Sequence, residues 1–346
     1  MKSLVRTTVA VGIAGVLTLS AACGGETSAS GPVEGNWDDV VAAAEEEGVV
    51  HLYSTQHPEN LEALKVAFAQ EYPAIKLEFT RGTDVETNPR VEAEVRTGKG
   101  TADVHMLSDP AWATTAADSG AYSVDIVGPA FDDPDYDRGG SVLNNKFFLT
   151  SAAIMALGWN VNELPQGLQS PADLLDPALR GRVGVVNPSG FAAVVDEYQF
   201  FEKRWGDGKF NEQLAALDPR VYPSSLGIAQ ALSSGEIIAT PMVQPLVREM
   251  EAGAPVDWVL PDPAWGTPWY SHVLASAPHP NAAQVLANFL VTAKGQEALS
   301  KGYGSVLPDI PGSVGRAQDI SLPDTSALTP ESIARYQEQW EKMFVG

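Results

Sequence analysis

The stretch from Val49 to Phe79 limits most tightly what this chain can fold into. Val49, Val50, Leu52 and Tyr53 form a short apolar run that reads as a buried strand. Pro58 suits the first turn of a helix, where a missing N–H costs nothing. Leu61, Leu64, Phe68 and Tyr72 follow at spacings of three and four, one apolar stripe along a helix that Pro73 ends. Ile75, Leu77 and Phe79 then alternate with polar residues, as a second strand does. This is a strand–helix–strand unit, and it sets the fold class as α/β. Its loop, Ser54-Thr55-Gln56-His57, lies where the carboxyl end of a strand meets a helix N-terminus. In open α/β sheets that crevice is where ligands bind. The rest of the chain is expected to build one half of a cleft around this loop and to set a second domain against it.

Similar strand-end loops recur. Val104–Leu107 reads as a strand ending in Ser108-Asp109-Pro110-Ala111-Trp112. Arg182–Val186 ends in Asn187-Pro188-Ser189-Gly190-Phe191, ahead of a helix from Ala192 to Trp205. Ser224-Ser225-Leu226-Gly227 opens a further helix, and the strand Ile237–Ala239 ends in Thr240-Pro241-Met242-Val243-Gln244. Ser170 with Asp173 has capping-box spacing, and Pro280–Gly295 reads as one helix. Phe147–Trp159 is apolar but shorter than a membrane span, and it fits strands running between two domains. A second crossing is expected near Trp269–Ala275. These readings divide the chain into a first lobe of 37–150 and 274–346 and a second of 151–273.

The 346 residues, 44% of them apolar, allow a substantial core. At roughly 150 residues per domain they allow two. The formal net charge is −22, which argues against nucleic acid or an anionic membrane surface as a partner. It does not reveal the sign of a small ligand. At the N-terminus, Lys2 and Arg6 precede an apolar run from Val9 to Leu19 and then Ser20-Ala21-Ala22-Cys23. That order is a secretory signal over 1–22, too short to span a membrane permanently. The chain's single cysteine, Cys23, falls directly after the small residues, and a leftover cysteine in a secreted protein needs explaining. Residues 23–36 are largely small and polar and read as a flexible tether.

Three stretches carry a family resemblance: Leu52-Tyr53-Ser54-Thr55-Gln56-His57, Ser170-Pro171-Ala172-Asp173-Leu174-Leu175 on through Val183, and Ser276-Ala277-Pro278-His279-Pro280-Asn281 on through Lys294-Gly295-Gln296-Glu297. With Thr101-Ala102-Asp103-Val104, they resemble the bacterial extracellular solute-binding proteins of ABC importers, in the branch of ferric-ion, phosphonate, thiamine and polyamine binders. The likeness covers about residues 48 to 310. It implies a two-lobe periplasmic-binding-protein-like fold of type II and a chain that crosses between lobes at least twice. It also implies a ligand held by closure, delivery to an ABC permease, no catalysis, no cofactor and a monomer. Cys23 resembles the lipidated cysteine of a bacterial lipobox, although Leu19 stands four residues before it, where three is usual, and Ser20 takes that place. The ferric branch's histidine is matched by His57, but its adjacent tyrosine pair is absent: no tyrosine lies between Tyr222 and Tyr270. The polyamine branch's Trp-x-Asp is replaced by Trp269-Tyr270-Ser271.

The expected binding set is Ser54, Thr55, Gln56, His57, Ser108, Asp109 and Trp112 from one lobe. The other supplies Asn187, Ser189, Gly190, Phe191, Ser224, Ser225 and Gln244, with Trp265 and Trp269 near the crossing. No metal ligands are assigned. Ser54, Thr55, Ser189 and Ser225 also read as plain helix caps, a role compatible with offering helix N–H groups to an anion. A protonated His57 is expected to add charge. No arginine is tied to these loops by sequence; Arg81, Arg90 and Arg248 lie only near cleft-forming segments. The ligand is expected to be a small polar solute, an anion such as a phosphonate or organophosphate, or an iron complex. Three readings compete: an amine or thiamine held by Asp109, Trp112 and Trp269, an exported enzyme on the same fold, and a surface protein whose cleft is vestigial and whose role is partner binding. His51, His105 and His279 read as ordinary structure, and no nucleophile-elbow, phosphate-loop or His-Glu-x-x-His motif is present.

Overall fold

The computed structural model describes residues 31–190 and 192–346. The signal-like segment, Cys23 and Phe191 lie outside the described residues. Helix α1 (Trp37–Glu47) starts on a capping box of Asn36 and Asp39 and stops at Gly48, whose φ of 71° is the left-handed turn that glycine takes without strain. Then come β1 (Val49–Ser54), α2 (Pro58–Glu71) and β2 (Lys76–Arg81), the expected strand–helix–strand unit. Leu61, Leu64 and Phe68 of α2 are fully buried, as their spacing requires. Helix α3 (Asp84–Thr97), strand β3 (Val104–Leu107) and helix α4 (Pro110–Ser119) follow.

The first lobe is built on one mixed sheet. Its order is Gly315–Arg316, Gly304–Ser305, Phe147–Ile154, Gly266–Val273, β3, β1, β2, with Val142–Leu143 paired to Phe147–Ile154. Strands β2, β1 and β3 are parallel, with Ser54 level with Arg81 and Met106. Gly266–Val273 runs antiparallel to β3, so its early residue Trp269 arrives beside the carboxyl end of β3. The second lobe carries the sheet Val256–Val259, Ala156–Asn160, Ala239–Val243 and the parallel pair Gly184–Val186 and Arg220–Tyr222. Each lobe has its own apolar core, one around Phe68, Phe148 and Phe289, the other around Phe201, Phe210 and Ile237.

Phe147–Asn160 is two strands, one per lobe, as expected of a crossing. The lobe boundaries differ from the sequence reading. The first crossing is at Met155, whose N–H bonds the carbonyl of Trp265 at 2.9 Å, so the return is complete before Gly266 rather than near Val273. Trp269–Val273, assigned above to the second lobe, are central strand residues of the first. A third passage runs through Ser321, which bridges Trp265. It carries the helix Pro330–Phe344 onto the second lobe, where buried Trp340 stacks on Phe344 and packs on Tyr198. Residues 330–344 therefore leave the first lobe to which they were assigned. Two element readings also change. Ala239–Val243 is a strand despite Pro241, because its register against Ala156–Asn160 slips at that point. Pro280–Gly295 is two helices, Pro280–Leu290 and Ala293–Leu299, the second capped by Thr292.

Candidate functional site

The carboxyl ends of β2, β1 and β3 lie side by side, so their last residues form the floor of the first lobe's cleft face. Along the sheet these are Arg81, then Ser54–His57, then Ser108, with Trp269 next. Trp269 Nε1 donates to Thr55 Oγ1 at 2.5 Å, Thr55 Oγ1 to Ser108 Oγ at 3.4 Å, and Ser108 Oγ to Asp84 Oδ2 at 2.6 Å. The Ser108 N–H also donates to Asp84, at 3.0 Å. Burial pushes the Asp84 carboxyl up to about 6, against those two Ser108 bonds and with help from Asp109.

Arg81 donates its Nε to the Gln56 carbonyl at 2.8 Å and has no ion pair among the described residues. Its guanidinium is exposed and its outer nitrogens are uncommitted. Across the hinge, Arg248 on the helix Val247–Glu251 reaches back to the first lobe. Its Nε pairs with Glu59 at 2.8 Å, and its Nη2 bonds Asn60 Oδ1 and, at 3.0 Å, the Lys301 carbonyl. A Cβ at Gly302 would lie 3.1 Å from Arg248 Nη1, so this glycine lets the guanidinium lie against the backbone. Beside it, Tyr303 Oη donates to Gln244 Oε1 at 3.1 Å, and Lys301 pairs with Glu251 at 2.6 Å. His57 and Tyr303 both feel the two arginines. Burial, then Arg248, then Arg81 lower the His57 pKa, with Glu59 opposing. Burial pushes Tyr303 up to about 12, partly offset by Arg248 and Arg81.

Several expected site residues have other duties. His57 Nδ1 accepts the Glu59 N–H at 3.3 Å, which requires that nitrogen to be unprotonated. With its pKa lowered, His57 is the neutral tautomer with Nε2–H free to donate, and the expected positive charge is withdrawn. The N-terminal N–H groups of α2 are also spent, because Asn60 and Leu61 donate to the His57 carbonyl and Pro58 has none to give. Asp109 caps α4 through the N–H groups of Ala111 and Trp112. Its charge sits where an anion would need the helix dipole, so this N-terminus does not receive one. Trp112 Nε1 is held by Glu92 at 2.8 Å, and its ring packs on His105, Tyr122 and His272, away from the floor. Trp265 is buried, with its Nε1 on Asp196 at 2.7 Å. Ser54 is fully buried and accepts the Gln56 N–H.

The second lobe's loops behave more simply. Asn187 N–H bonds the Tyr222 carbonyl at 2.8 Å, so the loops after Gly184–Val186 and Arg220–Tyr222 adjoin. Asn187 Oδ1 accepts the Ser189 N–H, Ser189 is exposed and Gly190 ends a short 3-10 turn. Ser224 caps the helix Ser225–Ser234, and Ser225 is half-buried. Among the described residues no hydrogen bond or ion pair joins these loops to Ser54–His57 or Ser108–Trp112. The lobes meet instead through Arg248, Glu251 and Gln244.

Arg81, Asp84, Arg248 and Tyr303 were not in the expected set. Arg81 was legible in principle: parallel neighbours end level, so the last residue of β2 must stand beside Ser54. Ending the strand at Phe79 hid it. Arg90 is no part of the site; it pairs with Glu94 at 3.0 Å and covers the Tyr53 ring.

The family model for bacterial extracellular solute-binding proteins matches residues 54–304. This chain belongs to the bacterial extracellular solute-binding proteins. A search of curated protein sequences returns no match. Among solved structures, the solute-binding protein is similar to iron-bound HitA from Pseudomonas aeruginosa, with a TM-score of 0.66 at 18% identity over 85% of this chain and 99% of that one. It is similar to AfuA from Actinobacillus pleuropneumoniae, solved with fructose-6-phosphate, with a TM-score of 0.67 at 20% identity over 86% and 99%. It is also similar to an ABC-transporter substrate-binding protein from Agrobacterium tumefaciens, with a TM-score of 0.70 at 15% identity over 88% and 97%. At such identities these likenesses establish the two-lobe periplasmic-binding-protein fold. They leave the ligand to be argued from the site.

Proposed function

We infer that this protein is the capture component of an ABC import system and that it binds a small anionic solute, a phosphonate, an organophosphate or an anionic iron complex, by closure of the lobes about the hinge. One observation carries the reading. Arg81 stands at the cleft floor with its outer guanidinium nitrogens uncommitted, whereas Arg248 is already paired with Glu59. An unpaired guanidinium at a cleft in a chain of net charge −22 is a local site for an anion. The sugar-phosphate-bound neighbour is compatible with a ligand of this sign. The amine reading is weakened, because Trp112 is held by Glu92 against His105 and His272, and Asp109 Oδ1 is spent capping α4. Among the described residues a bare ferric ion finds only Tyr303 at this floor, its proton held by burial, while Tyr222 donates to Glu236. Mature protein is anchored outside the cell by a lipid on Cys23. The Cys23→Ala protein should leave the membrane fraction with its ligand affinity unchanged, and a wild-type protein carrying no lipid by mass would refute the anchor.

A thermal-shift panel tests the sign of the ligand. Phosphonates, sugar phosphates and ferric citrate are set against putrescine, spermidine and thiamine. A bound solute at 100 times its dissociation constant stabilises the fold by about 2.7 kcal/mol. The shift is expected from the anions alone, and Asp109→Asn should preserve it. A shift from the amines that Asp109→Asn removes would reverse the assignment.

A further inference from the structure

The direction of the hydrogen bonds along the cleft floor narrows the ligand further, an inference that rests on the anion reading. An indole N–H can only donate, and an ionised carboxylate can only accept. The chain from Trp269 through Thr55 and Ser108 to Asp84 therefore runs one way. The hydroxyl proton and the N–H of Ser108 are both spent on Asp84. Thr55 spends its proton on Ser108 and already accepts from Trp269. Both residues are half-buried rather than sealed, so what they still show the cleft is oxygen lone pairs. Asp84 and Asp109 place negative charge behind those oxygens.

The cationic end lies elsewhere on the same floor. Arg81 ends β2, Ser108 follows β3, and β1 lies between them. At about 4.8 Å per strand they stand about 10 Å apart along the sheet. Between them is Gln56, fully buried, with neither Nε2 nor Oε1 hydrogen-bonded among the described residues. Both a donor and an acceptor are thus uncommitted midway along the floor.

We propose that the ligand is an organic anion that also carries hydrogen-bond donors, hydroxyl or ammonium, with its anionic group on Arg81 and its donors on the oxygens of Ser108 and Thr55. An anion without donors leaves these lone pairs facing negative charge and cut off from water, a penalty that discriminates against it.

Titration calorimetry with three phosphate monoesters tests this: methyl phosphate, glycerol 3-phosphate and phosphoethanolamine. They share the anionic group and differ in donors. The wild-type protein should bind glycerol 3-phosphate or phosphoethanolamine at least about tenfold more tightly than methyl phosphate, and the two arms separate hydroxyl from ammonium. Asp84→Asn lets an amide N–H donate to Ser108 and returns the serine proton to the cleft. The preference should then fall to within about threefold, with methyl phosphate binding no more weakly than in wild type. Ser108→Ala, which removes the acceptor outright, should level the preference too, and it serves if Asp84→Asn does not fold. Equal binding of all three esters by the wild type overturns this proposal and leaves the anion reading standing. So does a preference that both variants retain. Binding of none of the three overturns this proposal too, and the thermal panel with phosphonates and ferric citrate decides the anion reading separately.

Discussion

Arg81→Glu is expected to abolish capture of the anionic solute, weakening it by at least about a thousandfold, while the protein stays folded. Two effects add. The uncommitted guanidinium nitrogens supply charge-assisted hydrogen bonds worth about 1.5–3 kcal/mol to a ligand. A carboxylate in their place puts like charges about 4 Å apart, costing about 4 kcal/mol at an effective dielectric of about 20. The sum exceeds the roughly 4 kcal/mol that a thousandfold change needs. Stability is little affected, because Arg81 is exposed and its one fixed bond is to the Gln56 carbonyl. Arg81→Lys should fall between, since an ammonium keeps the charge and loses the planar fork. Calorimetry with the solute from the thermal panel reads all three. Unchanged affinity in Arg81→Glu would remove Arg81 from the site.

The second large effect is in acid. Ser123 Oγ donates to His272 Nδ1 at 2.7 Å, His272 Nε2 meets His105 Nδ1 at 3.1 Å, and His105 Nε2 meets Thr87 Oγ1 at 3.2 Å. Thr87 gives its own proton to the Thr83 carbonyl, which can only accept. Every proton in the chain is thereby placed, and each histidine is neutral with its N–H on Nε2. Burial holds His105 down to about 3, and burial with the neighbouring His105 holds His272 well below its ordinary value. Below about pH 6.5 the unfolded chain binds two protons that the native histidines refuse, so this contribution is lost as pH falls. Three buried acids act oppositely. Asp84, raised to about 6, Glu197, raised well above its ordinary value by burial and Asp196, and Asp103, raised by burial against its bonds to His51 and His279, take up protons in the native state, and their contribution is lost as pH rises. Between about pH 4.5 and 6 the acids and histidines oppose, and the stability of the wild type should change little. The double variant Asp84→Asn, Glu197→Gln removes most of the opposition and leaves that of Asp103. Its unfolding free energy should then fall more steeply than that of the wild type below pH 6, towards a limit of about 2.7 kcal/mol per pH unit, two protons at about 1.36 kcal/mol each. Urea titrations at several pH values measure it, and a double variant as flat as wild type would show that the histidines take up protons in the native state.

Local pattern was enough to read the α/β class, the opening strand–helix–strand unit and the crossing at Phe147–Asn160. Those features depend on periodicities of two and of three to four that a single chain displays. The position of Trp269 was not legible, because an eight-residue strand containing a proline and two aromatics does not announce which lobe's sheet receives it. The helix Pro330–Phe344 shows its apolar face, but nothing local says that Trp340 crosses back to meet Tyr198. Within the site, the strand ends gave which loops adjoin along the sheet but not how their side chains are bonded. Asp109 and His57 are caps, Trp112 and Trp265 are tied to buried or half-buried carboxylates, and the arginines come from positions adjacent only in space. Side-chain commitments of this kind are set by partners far along the chain, as in the link from Arg248 to Glu59, 189 residues apart.

The central claim is that the cleft selects a negative charge by Arg81 and a hydrogen-bond donor by Ser108. Native mass spectrometry of protein purified without denaturation, followed by release and fragmentation of whatever remains bound, addresses it directly. The account predicts one small organic anion bearing a hydroxyl or amino group in wild-type protein, and none in Arg81→Glu protein prepared in parallel. A polyamine, thiamine or uncharged sugar released from the wild type and still present in Arg81→Glu would contradict it.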